Sequence, residues 1–133
     1  MRRAASWGVA ALVGAAGVVA LVVRLLTLAP AVPPLGAPLA WHPCDGRFRC
    51  AEMAVPISYA HPKAGTLGLA LIELPATGRA TADLVTNPGG PGASGIEDLE
   101  ENASMYPKSL REHVNIVSFD PRGVGESDPV HCL

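Results

Sequence analysis

Residues 4–23 carry no charged side chain, and Arg3 and Arg24 bound the run on either side. Twenty residues at a helical rise of about 1.5 Å each match the hydrocarbon thickness of a bilayer, so the stretch is unsuited to a water-facing fold. Two readings fit it. Arg2, Arg3 and the terminal amine favour the cytoplasmic side, which makes the run a signal-anchor helix with the remainder facing outward. Ala29-Pro30-Ala31 offers an A-x-A-like cleavage site, which makes it a secretory signal peptide. Residues 1–28 are therefore expected to be an address, either signal or anchor. Residues 29–40, with Pro30, Pro33, Pro34 and Pro38, read as a stiff spacer. The expected location is secreted, or extracytoplasmic and held to the membrane through residues 4–23 if they are uncleaved.

Beyond the spacer the chain is acidic. Arg2, Arg3 and Arg24 are the only charges in the first 35 residues, which leaves 7 basic and 12 acidic residues for the other 98. Such a remainder lacks the basic footprint of a nucleic-acid binder. With 49% apolar and 17% charged residues, the chain is also no disordered polyelectrolyte. Cys44 and Cys50 enclose a short polar loop that turns at Gly46, and in an exported protein they form a reasonable disulfide, worth roughly 2 kcal/mol. Cys132 is then unpaired, which suggests an intermolecular bond, a free thiol or a partner not contained in the chain. A metal site built from His42, His131 and Cys132 matches no common zinc spacing, so no metal or other cofactor is expected.

Apolar periodicity predicts the elements. Residues 51–58 alternate with period two, and Pro56, without an amide hydrogen, assigns that strand to a sheet edge. A turn at residues 61–65 leads to a second strand over 66–74, its hairpin partner. A short third strand over 82–86 runs into a glycine-rich turn. Ser94 and Glu97 form an S-x-x-E capping box, and Ile96, Leu99 and Ala103 give the helix that begins there an apolar stripe. Pro107 ends that helix, and residues 108–112 form a further turn. Residues 114–120 are apolar on both faces, which predicts a parallel strand covered on both sides and, as the last in the chain, left with an unpaired edge. The fold class is α/β: an antiparallel edge hairpin, then parallel strands with a crossover helix.

Both distinctive loops come after strands that would lie parallel, where open α/β sheets place ligands. In residues 87–95, Gly89, Gly90, Gly92 and Gly95 let backbone amides approach an anion or a developing oxyanion; a tight strand-to-helix turn needs the same glycines. Residues 90–95 match G-x-G-x-x-G literally, but Asp120 lies 30 positions beyond Gly90, too far for the acid of a dinucleotide site. Pro88 and Pro91 also remove amide donors. In residues 120–129, Asp120 and Arg122 can pair or organise the turn, Gly123 and Gly125 allow a sharp bend, and Arg122 reads as a structural brace.

Taken in order, Trp41, Cys44, Cys50-Ala51, Val55-Pro56, Tyr59-Ala60, Asn87-Pro88-Gly89-Gly90-Pro91-Gly92, Ser94-Gly95, Phe119-Asp120-Pro121-Arg122-Gly123-Val124-Gly125, Ser127 and Pro129-Val130-His131-Cys132 form one pattern. It resembles the opening of exported actinobacterial α/β-hydrolases of the tripeptidyl aminopeptidase and proline iminopeptidase type, over residues 41–133. Ile57-Ser58 departs from it, since the family more often has Leu-Asp there. The resemblance implies a peptide substrate, acyl-enzyme chemistry and an oxyanion-hole loop at Gly89 and Gly90, supported by Asn87, Pro88, Pro91 and Gly92. It implies that Asp120, Arg122, Gly123 and Gly125 flank the site structurally. It also implies that Cys44 and Cys50 pair as in the family, and that the partner of Cys132 lies further along the chain.

The serine, acid and histidine of such enzymes come later in chain order. Residues 92–96 and 125–129 approach G-x-S-x-G without matching it, so Ser94 reads as a helix cap and Ser127 as a turn residue. His42, His61, His113 and His131 stand at no catalytic spacing. The expectation is an amino-terminal portion of a serine peptidase, inactive alone. The alternatives are a membrane-tethered binding module without catalysis and, less favoured by the spacing, a small dinucleotide-binding domain.

Overall fold

The computed structural model describes residues 32–129. The signal-or-anchor segment, His131 and Cys132 lie outside the described residues. Within them, no helix is long and apolar enough to cross a membrane.

Five strands form one mixed sheet: β1 (His42–Pro43), β2 (Arg49–Pro56), β3 (Thr66–Leu74), β4 (Ala82–Val85) and β5 (Val114–Phe119). Their spatial order is β1-β2-β3-β5-β4, with β4 and β5 parallel and every other pair antiparallel. The β2–β3 hairpin is continuous from the pair Arg49↔Glu73 to the pair Pro56↔Thr66. Because β1 reaches only Arg49 and Cys50, Pro56 lies where β2 is an open edge and its missing amide costs no ladder bond. The expected hairpin, third strand and crossover helix are all present. The short β1 is an addition, pinned by the Cys44–Cys50 disulfide with a Cα–Cα distance of 5.7 Å.

Two helices come after β4: α1 (Gly95–Asn102), continued by a 3-10 turn over Ala103–Met105, and α2 (Lys108–Arg111). Ser94 caps α1, accepting the Glu97 N–H at 3.1 Å. The stripe of Ile96, Leu99 and Ala103 then packs on Ile72 and Leu74 of β3, Ile116 of β5 and Phe48. The other sheet face carries Val55, Leu69 and Leu71, with Trp41, Met53, Val117 and Phe119 only partly covered.

The structure corrects one reading of β5. The last strand in sequence is not the last in space: β5 sits between β3 and β4 with both edges paired. Only its Ile116/Ser118 face is fully buried; Val117 and Phe119 remain half-exposed on the other. The open edge is β4, whose four residues are all exposed. From β4 the chain turns back inward through α1 to the slot between β3 and β4, an order that local apolar patterning does not encode.

Candidate functional site

The loops that leave β4 and β5 emerge side by side, at the carboxyl ends of the parallel pair. The first is tied down where it starts: Thr86 N–H donates to Val117 O at 2.8 Å, and Ser118 Oγ donates to Thr86 O at 3.1 Å. The Asn87 side chain then accepts the Gly89 N–H at 2.9 Å, closing an Asx turn. The amide of Gly89 is thereby engaged within its own loop. The next amide, on Gly90, has no acceptor among the described residues, and its backbone holds φ 128°, a left-handed conformation open to glycine. A side chain at Gly90 would also crowd the Gly92 nitrogen.

Asp120 organises everything behind this loop. It is 1% exposed and has no cationic partner among the described residues. Its Oδ1 accepts from Ser94 Oγ at 2.6 Å and from the Ile96 N–H at 3.2 Å, while Oδ2 accepts from the Glu126 N–H at 2.9 Å. A buried carboxylate is tolerable when donors surround it, and here the positive end of the α1 dipole supplies part of the compensation. This arrangement counts against a dinucleotide site. The amino terminus of α1 is already answered by the chain's own carboxylate, so it is not the open cradle that a pyrophosphate needs. Gly125, at φ 52°, is required in turn because a side chain there would collide with the Asp120 carboxylate.

Arg122 does not pair with Asp120. Its Nη1 donates to Ile57 O at 3.2 Å and its guanidinium lies 4.8 Å from the Tyr59 ring centroid, tying the second loop to the β2–β3 hairpin. Ser127 and Asp128 have a role that sequence reasoning missed. Ser127 Oγ accepts the Ala70 N–H at 2.9 Å and donates to Asp120 O at 2.8 Å, and Asp128 Oδ2 accepts the Gly68 N–H at 3.1 Å. They satisfy the part of β3 that extends beyond β5. The signal was a difference in strand length, nine residues in β3 against six in β5.

The electrostatic setting is negative. Burial, and then the charges of Asp45, Glu126, Glu97 and Asp120 in that order, raise the Glu100 carboxyl above the usual range. No serine hydroxyl in the described residues hydrogen-bonds a histidine: Ser94 and Ser127 are engaged as above, His61 sits in the hairpin turn and His113 lies just after α2. The sulfurs of Cys44 and Cys50 are consumed by their disulfide.

This sheet order, with a crossover helix and glycine loops at the strand ends, matches the opening elements of an α/β-hydrolase-like fold. No protein-family profile matches the chain. Curated relatives do. The chain is 44% identical over 108 residues to the serine protease Hip1 of Mycobacterium tuberculosis, an overlap covering 74% of this chain and 21% of that protein. It is 43% identical over 82 residues to carboxylesterase B of the same species, covering 61% and 16%. To the tripeptidyl aminopeptidase of Streptomyces lividans it is 33% identical over 92 residues, covering 65% and 17%. The chain thus spans about a fifth of the length of the curated relatives it matches. Fold and similarity together support an α/β-hydrolase-like family, with no evident catalytic triad among the described residues.

Proposed function

We propose that the chain is the amino-terminal portion of an exported serine peptidase of the tripeptidyl aminopeptidase type, and that Gly90 contributes an oxyanion-hole amide. The observation carrying this reading is the unengaged Gly90 N–H at the carboxyl end of the parallel pair, beside a Gly89 amide held by Asn87. In the complete enzyme a serine attacks the peptide carbonyl, and a preformed amide stabilises the negative charge that develops on its oxygen. Asp120 and Asn87 hold that amide without touching the substrate.

The bare side of the sheet supports the same reading. Parallel strands are joined by right-handed crossovers, and α1 covers one face on the way from β4 inward to β5. A crossover returning from β5 to the open edge of β4 runs the opposite way and lays its helix on the other face. That face holds an apolar cavity of about 370 Å³ lined by Trp41, Met53, Leu69, Leu71, Val85 and Val117, among others. One further helix-and-strand unit fills both vacancies.

A fluorophosphonate probe tests the proposal. The chain alone is expected to remain unlabelled, and to label once joined to the polypeptide encoded beyond Leu133. Labelling of the chain alone, or a downstream sequence without G-x-S-x-G and later acid and histidine codons, overturns it.

A further inference from the structure

The end of the sheet opposite the glycine loops holds a second cleft, of about 350 Å³, between the disulfide loop, the strand connection at Thr77, the 3-10 turn and α2. Arg47, Lys108 and Arg111 line it, together with the hydroxyl-bearing Thr77 and Ser104, and Glu112 is the acid on its wall. None of the three cations has an ion-pair partner within the described residues, where Arg49 pairs with Glu73. Arg111 is fixed in place: Nη2 donates to Pro75 O at 3.1 Å, its own carbonyl accepts the Thr77 N–H at 2.7 Å, and Nε is buried without a partner. Arg47 lies 5.5 Å from the Phe48 ring centroid. Burial, and then the charge of Arg47, lower the pKa of Arg111, so the two guanidiniums repel each other across the cleft. That is a cluster of three cations facing one acid, in a polypeptide whose folded part is net acidic.

We propose that this cleft binds a phosphate-bearing anion. One guanidinium satisfies a carboxylate, whereas three cations with neighbouring hydroxyls suit a tetrahedral phosphate, whose several oxygens accept from more than one donor at once. Arg111 is the preset donor, while Arg47 and Lys108, exposed at the rim, close on the ligand. The phosphate can belong to a soluble monoester or to a phospholipid headgroup. The cleft lies at the far end of the parallel strands from Gly90, so this inference does not depend on the peptidase reading.

The test uses the full chain, held in non-ionic detergent for the titration and exchanged out of it for the vesicle arm. Calorimetric titration with inorganic phosphate and with glycerol phosphate forms one arm. Co-sedimentation with phosphatidylglycerol against phosphatidylcholine vesicles forms the other. Arg47→Glu and Lys108→Glu sit on exposed side chains and spare the Arg111 bond to Pro75. Each is expected to weaken phosphate binding about tenfold, the loss of one charge-assisted contact. A soluble source shows this loss in the titration. A headgroup source shows it as reduced retention by phosphatidylglycerol relative to the parent chain, which subtracts any contribution of residues 4–23. No binding in either arm, or binding that neither substitution changes, overturns the proposal.

Discussion

Asp120 connects two loops and a helix through two oxygens. Each oxygen faces at least one N–H donor, so an asparagine at this position points its NH2 at either the Ile96 or the Glu126 amide whichever way it turns. Asp120→Asn is therefore expected to destabilise the chain by about 2–3 kcal/mol despite its equal size, read as a lowered denaturant midpoint. An unchanged midpoint refutes the bracing role. Residue identities made this part of the molecule only half legible. Asp120, Gly125 and Arg122 were recognisable as a loop worth attention, but their partners were not. The sequence left open whether Asp120 and Arg122 pair or organise the turn, and the structure gives the carboxylate to backbone amides 6 and 24 positions away. Hydrogen bonds of that span leave no periodic trace.

At the scale of the element, α1 was the easiest to read, since its cap, its stripe and its acidic first turn are all local signals. Those acids carry a cost. The raised Glu100 carboxyl means that the folded chain holds this proton more tightly than the unfolded chain does. Its contribution to stability is thus fullest at low pH and falls as pH rises through the raised value. Glu100→Gln is expected to raise the Tm at pH 7, to leave it unchanged near pH 3, and to keep most of its benefit in high salt, which screens the neighbouring charges but not the leading cause, burial. Thermal melts across that pH range decide the matter, and an equal effect at both ends argues against it. The strand β5 was legible as a strand but not in its neighbours. Apolar side chains specify burial, whereas the placement of β5 between β3 and β4 depends on the crossover.

For the whole molecule, the exposed feature is the outer edge of β4 beside an apolar face. Such an edge is a template for intermolecular pairing. Residues 36–133 expressed alone are expected to self-associate, and Val85→Lys, placed on a side chain 63% exposed, is expected to shift the product toward monomer in sedimentation velocity. A monomeric parent that melts cooperatively contradicts this. The overall order of elements was readable from the sequence because most boundaries carry a proline, a glycine or a cap. An open sheet edge was expected from the sequence, but on β5; that it belongs to β4 was readable only from the spatial order.

The stitches that Ser127 and Asp128 make to β3 also set a schedule. The amides of Gly68 and Ala70 find their acceptors 60 and 57 residues further along, so half of one strand edge waits for almost the last described residues to be synthesised. Closing loops of that length is slow compared with forming a hairpin. On a ribosome, the β2–β3 hairpin is expected to form early and to stay frayed on that side. The edge is sealed only when the second glycine loop emerges and Asp120 draws it down onto α1.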